Sequence, residues 1–211
     1  MSHRTRGFTL IELLVALFIA ALMFAMGYGA IHQALTSRDS LKKQQAQLLG
    51  LQTAVRVLEQ DFVQLAPRPV RQAVGDEPAQ AALLGAPPGT QPLVALTRAG
   101  WANPAGLQRP GLQRVAYFLE NGTLRREYWN VLDPTLASTT AKRDLLTHVK
   151  SVVIRYMDVN HAWQDQWPPL TGTVLIGQAM EATLRLRPIA VEITLDTEDW
   201  GKIVRIIEIA G

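Results

Sequence analysis

From Phe8 to Ile31 nearly every position is apolar or small, and one is charged, Glu12. About 20 apolar residues in a helix cross the hydrocarbon core of a bilayer, so the run predicts a membrane-spanning helix over 8–31. After Ile31 the chain turns polar, and no proline interrupts it until Pro67. Leu41, Leu48, Leu51, Val55, Leu58, Phe62 and Leu65 recur at a step of seven and then at steps of three and four. That is one apolar stripe on an amphipathic helix. Lys42, Lys43, Gln52, Arg56, Glu59 and Gln60 fall on the other face. Gly50 weakens this helix by about 1 kcal/mol relative to alanine, and Pro67 with Pro69 stops it. The predicted amphipathic half therefore covers 32–66.

Beyond it the period changes. Residues 67–111 are rich in Pro, Gly, Ala and Gln, which predicts loops and short strands, with Leu93–Thr97 the best strand. Two runs, Arg114–Glu120 and Thr123–Trp129, flank Asn121-Gly122. Both turn residues accept positive φ, so this is a hairpin. Ser151–Met157, Ile189–Leu195 and Lys202–Ile209 read as buried strands, with Glu198–Gly201 turning between the last two. Short turns imply an antiparallel sheet with one covered face, and the amphipathic half-helix is the natural cover. The expected fold is an α+β head, 67–211, on a long N-terminal helix.

Charge gives the apolar run a direction. Arg4 and Arg6 precede it, which leaves Met1–Gly7 in the cytoplasm and the chain after about His32 outside. The formal net charge is +3, but without these two arginines 19 basic residues face 18 acidic ones. The balance offers no surplus for binding phosphates, so nucleic acid is not an expected partner. An ordinary secretory signal fits badly: the apolar run is too long, no A-x-A site ends it, and a carboxylate sits near its start. A carboxylate in a membrane helix costs a few kcal/mol and marks a functional position by default. Glu12 either reaches the headgroup boundary or meets a cation inside the apolar layer. A cut between Gly7 and Phe8 would create such a cation, the α-amine of Phe8. It could come from the same chain, at i and i+4 on a helix, or from a neighbouring subunit.

The segment G-F-T-L-I-E-L-L-V-A-L at Gly7–Leu17 resembles the prepilin signature of type IV pilins and type II secretion pseudopilins. The resemblance implies that a prepilin peptidase cuts after Gly7 and N-methylates Phe8, and that Glu12 docks the subunit into a fibre. The stretches Val57–Gln72, Arg114–Pro134 and Trp163–Pro169 are similar to the minor pseudopilin J family of type II secretion. The length agrees: major pseudopilins and minor subunit I are shorter, and minor subunit K is longer and lacks the glutamate. Residues 172–188 depart from that family pattern, and G-Q-A-M-E-A-T-L-R-L-R-P there predicts an added helical turn or two. The resemblance implies a type IV pilin-like fold and a non-enzymatic role in protein export across the outer membrane. It also implies single-pass insertion in the bacterial inner membrane, with the head in the periplasm, and then a place at the pseudopilus tip. The implied partners are minor pseudopilins I and K, minor pseudopilin H and the major pseudopilin, the prepilin peptidase and the inner membrane; contact with secreted cargo stays open. A minor pilin of a type IV pilus is the alternative within the class, and a membrane-tethered periplasmic binding domain the alternative outside it.

Other chemistry finds little support. The chain has no cysteine, which removes disulfides, thiolate metal sites and cysteine nucleophiles. Its four histidines do not form an H-x-x-x-H pair for zinc. No phosphate-binding glycine loop or G-x-S-x-G elbow occurs. Asp196, Glu198 and Asp199 cluster without the alternating spacing of a calcium loop. No cofactor, metal or catalytic residue is expected. Trp163 and Trp167 either pin their loop to the core or offer aromatic anchors to a partner.

Overall fold

The structure is a computed structural model that describes residues 8–71, 78–100, 106, 111–170 and 177–209. The chain divides into two compact units between Leu49 and Gly50, within the 54-residue helix α1 (Leu10–Val63). In the first unit the large apolar side chains from Leu10 to Ile31 are exposed, and the helix is long and apolar enough to cross a membrane. Leu41 and Leu48 are exposed as well, so the buried stripe begins at Leu51.

In the second unit, strands β1 (Leu83–Gly85), β2 (Val94–Arg98), β3 (Gln113–Glu120), β4 (Thr123–Trp129) and β5 (Thr140–Leu146) follow the helix. Then come β6 (Val149–Met157), β7 (Trp163–Gln164), the short helix α2 (Gln178–Leu184), β8 (Ala190–Thr197) and β9 (Gly201–Glu208). They form two antiparallel sheets, ordered β1-β2-β3-β4-β5 and β7-β6-β8-β9. The single expected sheet is thus split at the β5–β6 connection. There His148 takes φ 59°, and β6 takes β8 as its ladder neighbour instead of β5. The Asn-Gly hairpin forms as expected, with φ 50° at Asn121 and 71° at Gly122 and Glu120 opposite Thr123. Helix α1 ends before Pro67 is reached, because the chain joins β2 first. Leu65 bridges Arg98, and Ala66 N donates to Thr97 O at 2.8 Å. The added turns expected within 172–188 are α2; residues 171–176 lie outside the described residues.

Both sheets and α1 share one hydrophobic core. Leu51, Val55, Leu58 and Phe62 are buried along α1, which follows the 3.6-residue period. On β8 burial alternates, with Val191, Ile193 and Leu195 inward, the period of a strand covered on one face. Gly85 permits the closest approach in this core. A Cβ built there would lie 2.3 Å from the Tyr156 ring, so the strand can pass the ring only without a side chain.

One position on the buried stripe is charged. Asp61 is fully buried, three residues after Leu58 and four before Leu65. Three strands supply its partners. Arg98 Nη1 on β2 donates to Oδ1 at 2.5 Å. Arg126 on β4 donates from Nε to Oδ2 at 2.7 Å and from Nη2 to Oδ1 at 3.2 Å. Tyr117 on β3 donates its hydroxyl to Oδ2 at 2.5 Å. Burial first, and then the Asp61 charge, push the Tyr117 pKa well above its ordinary value, so the hydroxyl keeps its proton and donates it. Arg98 also reaches Gln64 Oε1. Both carboxylate oxygens are therefore satisfied, which a buried charge requires. Removing one member of such a cluster costs about 3–5 kcal/mol, because it strands buried charge. Asp61→Asn leaves two guanidinium groups facing a neutral amide. It should lower the urea midpoint of the detergent-solubilised protein by an amount corresponding to about 3–5 kcal/mol, followed by tryptophan fluorescence; an unchanged midpoint would show that the cluster is dispensable.

Candidate functional site

The N-terminal element is built from Phe8, Thr9 and Glu12, where α1 begins. Gly7 lies outside the described residues, and Phe8 is 85% exposed. Glu12 falls in the first turn of α1. Its Oε2 accepts from Thr9 N at 2.9 Å and from the Thr9 hydroxyl at 2.8 Å. In return, Glu12 N donates to Thr9 Oγ1 at 3.4 Å. This reciprocal pair is a capping box, in which each side chain satisfies an amide N–H that the helix leaves open. A carboxylate here also suits the positive end of the helix dipole. The sequence held the signal, Thr9-Leu10-Ile11-Glu12 being T-x-x-E, and reading Glu12 only as a charge in an apolar run passes over it. The box fixes the carboxylate and commits Oε2 to its own chain. Phe8, Ile11, Val15 and Ile19 form an open, almost wholly apolar groove beside it. The element can therefore present one anchored carboxylate amid apolar surface.

The second candidate lies in the head, where Val57 and Gln60 of α1 face Arg98, Gln113, Arg126 and Tyr128. Asn130, Lys142 and Arg143 complete this concavity of about 560 Å³. Arg126 and Arg143 stand directly opposite each other on β4 and β5. The guanidinium of Arg126 also lies 5.3 Å from the centre of the Tyr128 ring. Lys142 Nζ pairs with Glu127 Oε1 at 2.8 Å. Elsewhere, Arg114 on β3 is buried and donates to Ala81 O and Ala82 O, both at 3.0 Å; burial pushes its pKa down to about 10.

The tryptophan loop resolves in two ways. Trp167 is buried, stacks at a tilt on Tyr156 with centroids 6.1 Å apart, and donates Nε1–H to Leu186 O at 3.2 Å. It packs. Trp163 is half-buried, with the Arg155 guanidinium 5.5 Å above its ring. Asp158 holds the loop by accepting from Asn160 N and Ala162 N at 2.9 and 3.0 Å and from Gln164 Nε2 at 2.9 Å. The backbone bond from Ala162 and the side-chain bond from Gln164 hold its carboxyl below the usual range. Asp199, of the C-terminal acidic group, lies with Oδ2 3.1 Å from His148 Nδ1.

Two family profiles match the chain. The profile of the prokaryotic N-terminal methylation motif matches residues 2–28, and that of type II secretion system protein J matches residues 29–209. The type II secretion system protein J of Klebsiella pneumoniae is 29% identical over 189 residues, which cover 89% of this chain and 92% of that protein. Its counterpart in Escherichia coli is 29% identical over 211 residues, covering 99% and 98%. A chain in the crystal structure of the GspK-GspI-GspJ complex of the enterotoxigenic Escherichia coli type 2 secretion system superposes with a TM-score of 0.64 at 27% identity. That match covers 78% of this chain and 98% of the other. An N-terminal methylation motif, a long apolar-to-amphipathic helix and a two-sheet head thus occur in the expected order, and the chain belongs to the type II secretion system protein J family, the minor pseudopilins.

Proposed function

We propose that the chain is a non-catalytic subunit of the pseudopilus tip, inserted through the inner membrane before it joins the fibre. In this reading residues 1–7 are a cytoplasmic leader, cut after Gly7, and Phe8 becomes the N-methylated terminus. Residues 8–31 span the membrane, 32–66 are the periplasmic half of the helix, and 67–211 are the periplasmic head. The observation that carries the reading is the methylation motif over residues 2–28 joined to a protein J match over 29–209. The crystallised relative of enterotoxigenic Escherichia coli is seen in complex with GspK and GspI. By that likeness minor pseudopilins I and K are this chain's direct partners, with minor pseudopilin H and the major pseudopilin next to them.

Assembly in this reading is non-covalent. The apolar segment leaves lipid for the apolar centre of a fibre, and Glu12 sets its register by meeting a subunit amine. Thr9 holds Glu12 Oε2 within the chain, which favours an amine arriving from a neighbour on the remaining oxygen over the chain's own Phe8. In low dielectric such a pair is worth more than in water, and a neutral residue loses it while removing a costly charge from the membrane.

Two variants separate processing from docking. Gly7→Leu should leave the precursor uncut, seen as a mass that retains the leader; a mature mass would end the processing claim. Glu12→Ala should still be cut yet fall at least tenfold in co-isolation with the other pseudopilins, the loss of a charge pair worth about 1.4 kcal/mol or more. Undiminished co-isolation of the cut protein would contradict the docking role.

A further inference from the structure

We propose that the basic concavity between α1 and β4–β5 receives an acidic side chain from a neighbouring pseudopilin subunit. The inference rests on the assembly reading above and adds a surface and a chemistry to it. Four cations, Arg98, Arg126, Lys142 and Arg143, line the concavity, while two carboxylates, Asp61 and Glu127, pair with them. Positive charge is left over at one place, where Arg126 stands opposite Arg143. Like charges directly opposite each other across a ladder repel. Asp61 answers Arg126 from the buried side, through Nε and Nη2. Arg143 is exposed and makes no ion pair among the described residues. A carboxylate entering from solvent would bridge the two guanidinium groups and turn their repulsion into attraction, in a site where arginine's planar fork suits carboxylate geometry.

The walls favour a side chain over a free ion. Val57 and the Tyr128 ring provide apolar surface for a methylene stem, and the Gln60 and Gln113 amides supply polar contact around it. The opening of about 560 Å³ admits a side chain together with its backbone approach. The donors are side chains projected from strands and a helix face, unlike the backbone N–H cradle that receives phosphates at a helix start. An aspartate or glutamate carried by another subunit matches this charge and shape. Such rim charges tune the rate and specificity of association, which is what a subunit placed among unlike neighbours needs.

The test uses the full-length chain solubilised with minor pseudopilins I and K, comparing Arg143→Glu with Lys150→Glu, which changes the net charge equally on β6 outside the concavity. Arg143→Glu should reduce the recovered complex about tenfold, Lys150→Glu should leave it intact, and Arg143→Lys should retain it. If Arg143→Glu lowers the unfolding temperature, Gln60→Glu introduces the same negative charge from the α1 wall and should give the same loss. Equal recovery for Arg143→Glu and Lys150→Glu, while the wild type assembles, overturns this site and leaves the assembly reading standing. A wild type that joins neither subunit overturns that reading and this one with it. Inorganic phosphate that raises the wild-type unfolding temperature, loses that effect with Arg143→Glu and leaves assembly of both unchanged would make the concavity a free-oxyanion site, also overturning the proposal.

Discussion

Asp61 is the constraint on which the head depends. It is a full charge on the apolar stripe of a helix, and the dry core around it makes that charge costly unless it is completely paired. Arg98, Arg126 and Tyr117 do the pairing, and they come from β2, β4 and β3. A single carboxylate therefore fixes the rotation of α1 about its axis and its height over three adjacent strands. Leucines alone would fix neither, since apolar contacts are non-directional and tolerate a slide of the helix along the sheet. Hydrophobic burial supplies the driving force, and the ionic cluster supplies the register. The same two arginines also face the basic concavity, so the joint that sets the fold shapes the surface next to it.

The N-terminal element applies the same logic in reverse. Here a carboxylate stands in an apolar segment with its own chain satisfying only part of it. Thr9 takes one oxygen through the capping box, which holds the group in place without neutralising it. Glu12 is thus anchored in an apolar run, with no bond to its Oε1 among the described residues. The head closes its buried carboxylate inside the chain, whereas the terminus leaves Glu12 exposed with one oxygen held by Thr9.

Much of this was legible in the residues. The apolar run from Phe8 to Ile31, the stripe through Leu51, Val55, Leu58 and Phe62, and the Asn121-Gly122 turn follow from period and turn chemistry. So do β6 and β8, on which burial alternates; the apolar run Lys202–Ile209 reads as a buried strand, but β9 lies at the edge of its sheet and is exposed at most positions. Three strands escaped because they lack that pattern. Strand β1 has three residues and β7 has two, too short to show a period. Strand β5 carries Lys142, Arg143 and Asp144 in sequence and is half-exposed, so no apolar alternation marks it. The split into two sheets was also hidden, because ladder partners are a long-range choice that the short β5–β6 connection does not reveal. Of the proposed site, Gly7, Phe8 and Glu12 stand out by type and spacing. Asp61 did not, although its place between Leu58 and Leu65 puts it on the buried face. The pairing of Arg126 with Arg143 needed the β4–β5 register, which a propensity argument does not provide.

The most direct measurement is mass spectrometry of the wild-type chain isolated under mild detergent from the membranes of its own cell. The expected outcome is a chain whose mass begins at methylated Phe8, recovered together with minor pseudopilins I and K. A mature chain recovered alone, or only with subunits of a type IV pilus, would contradict it.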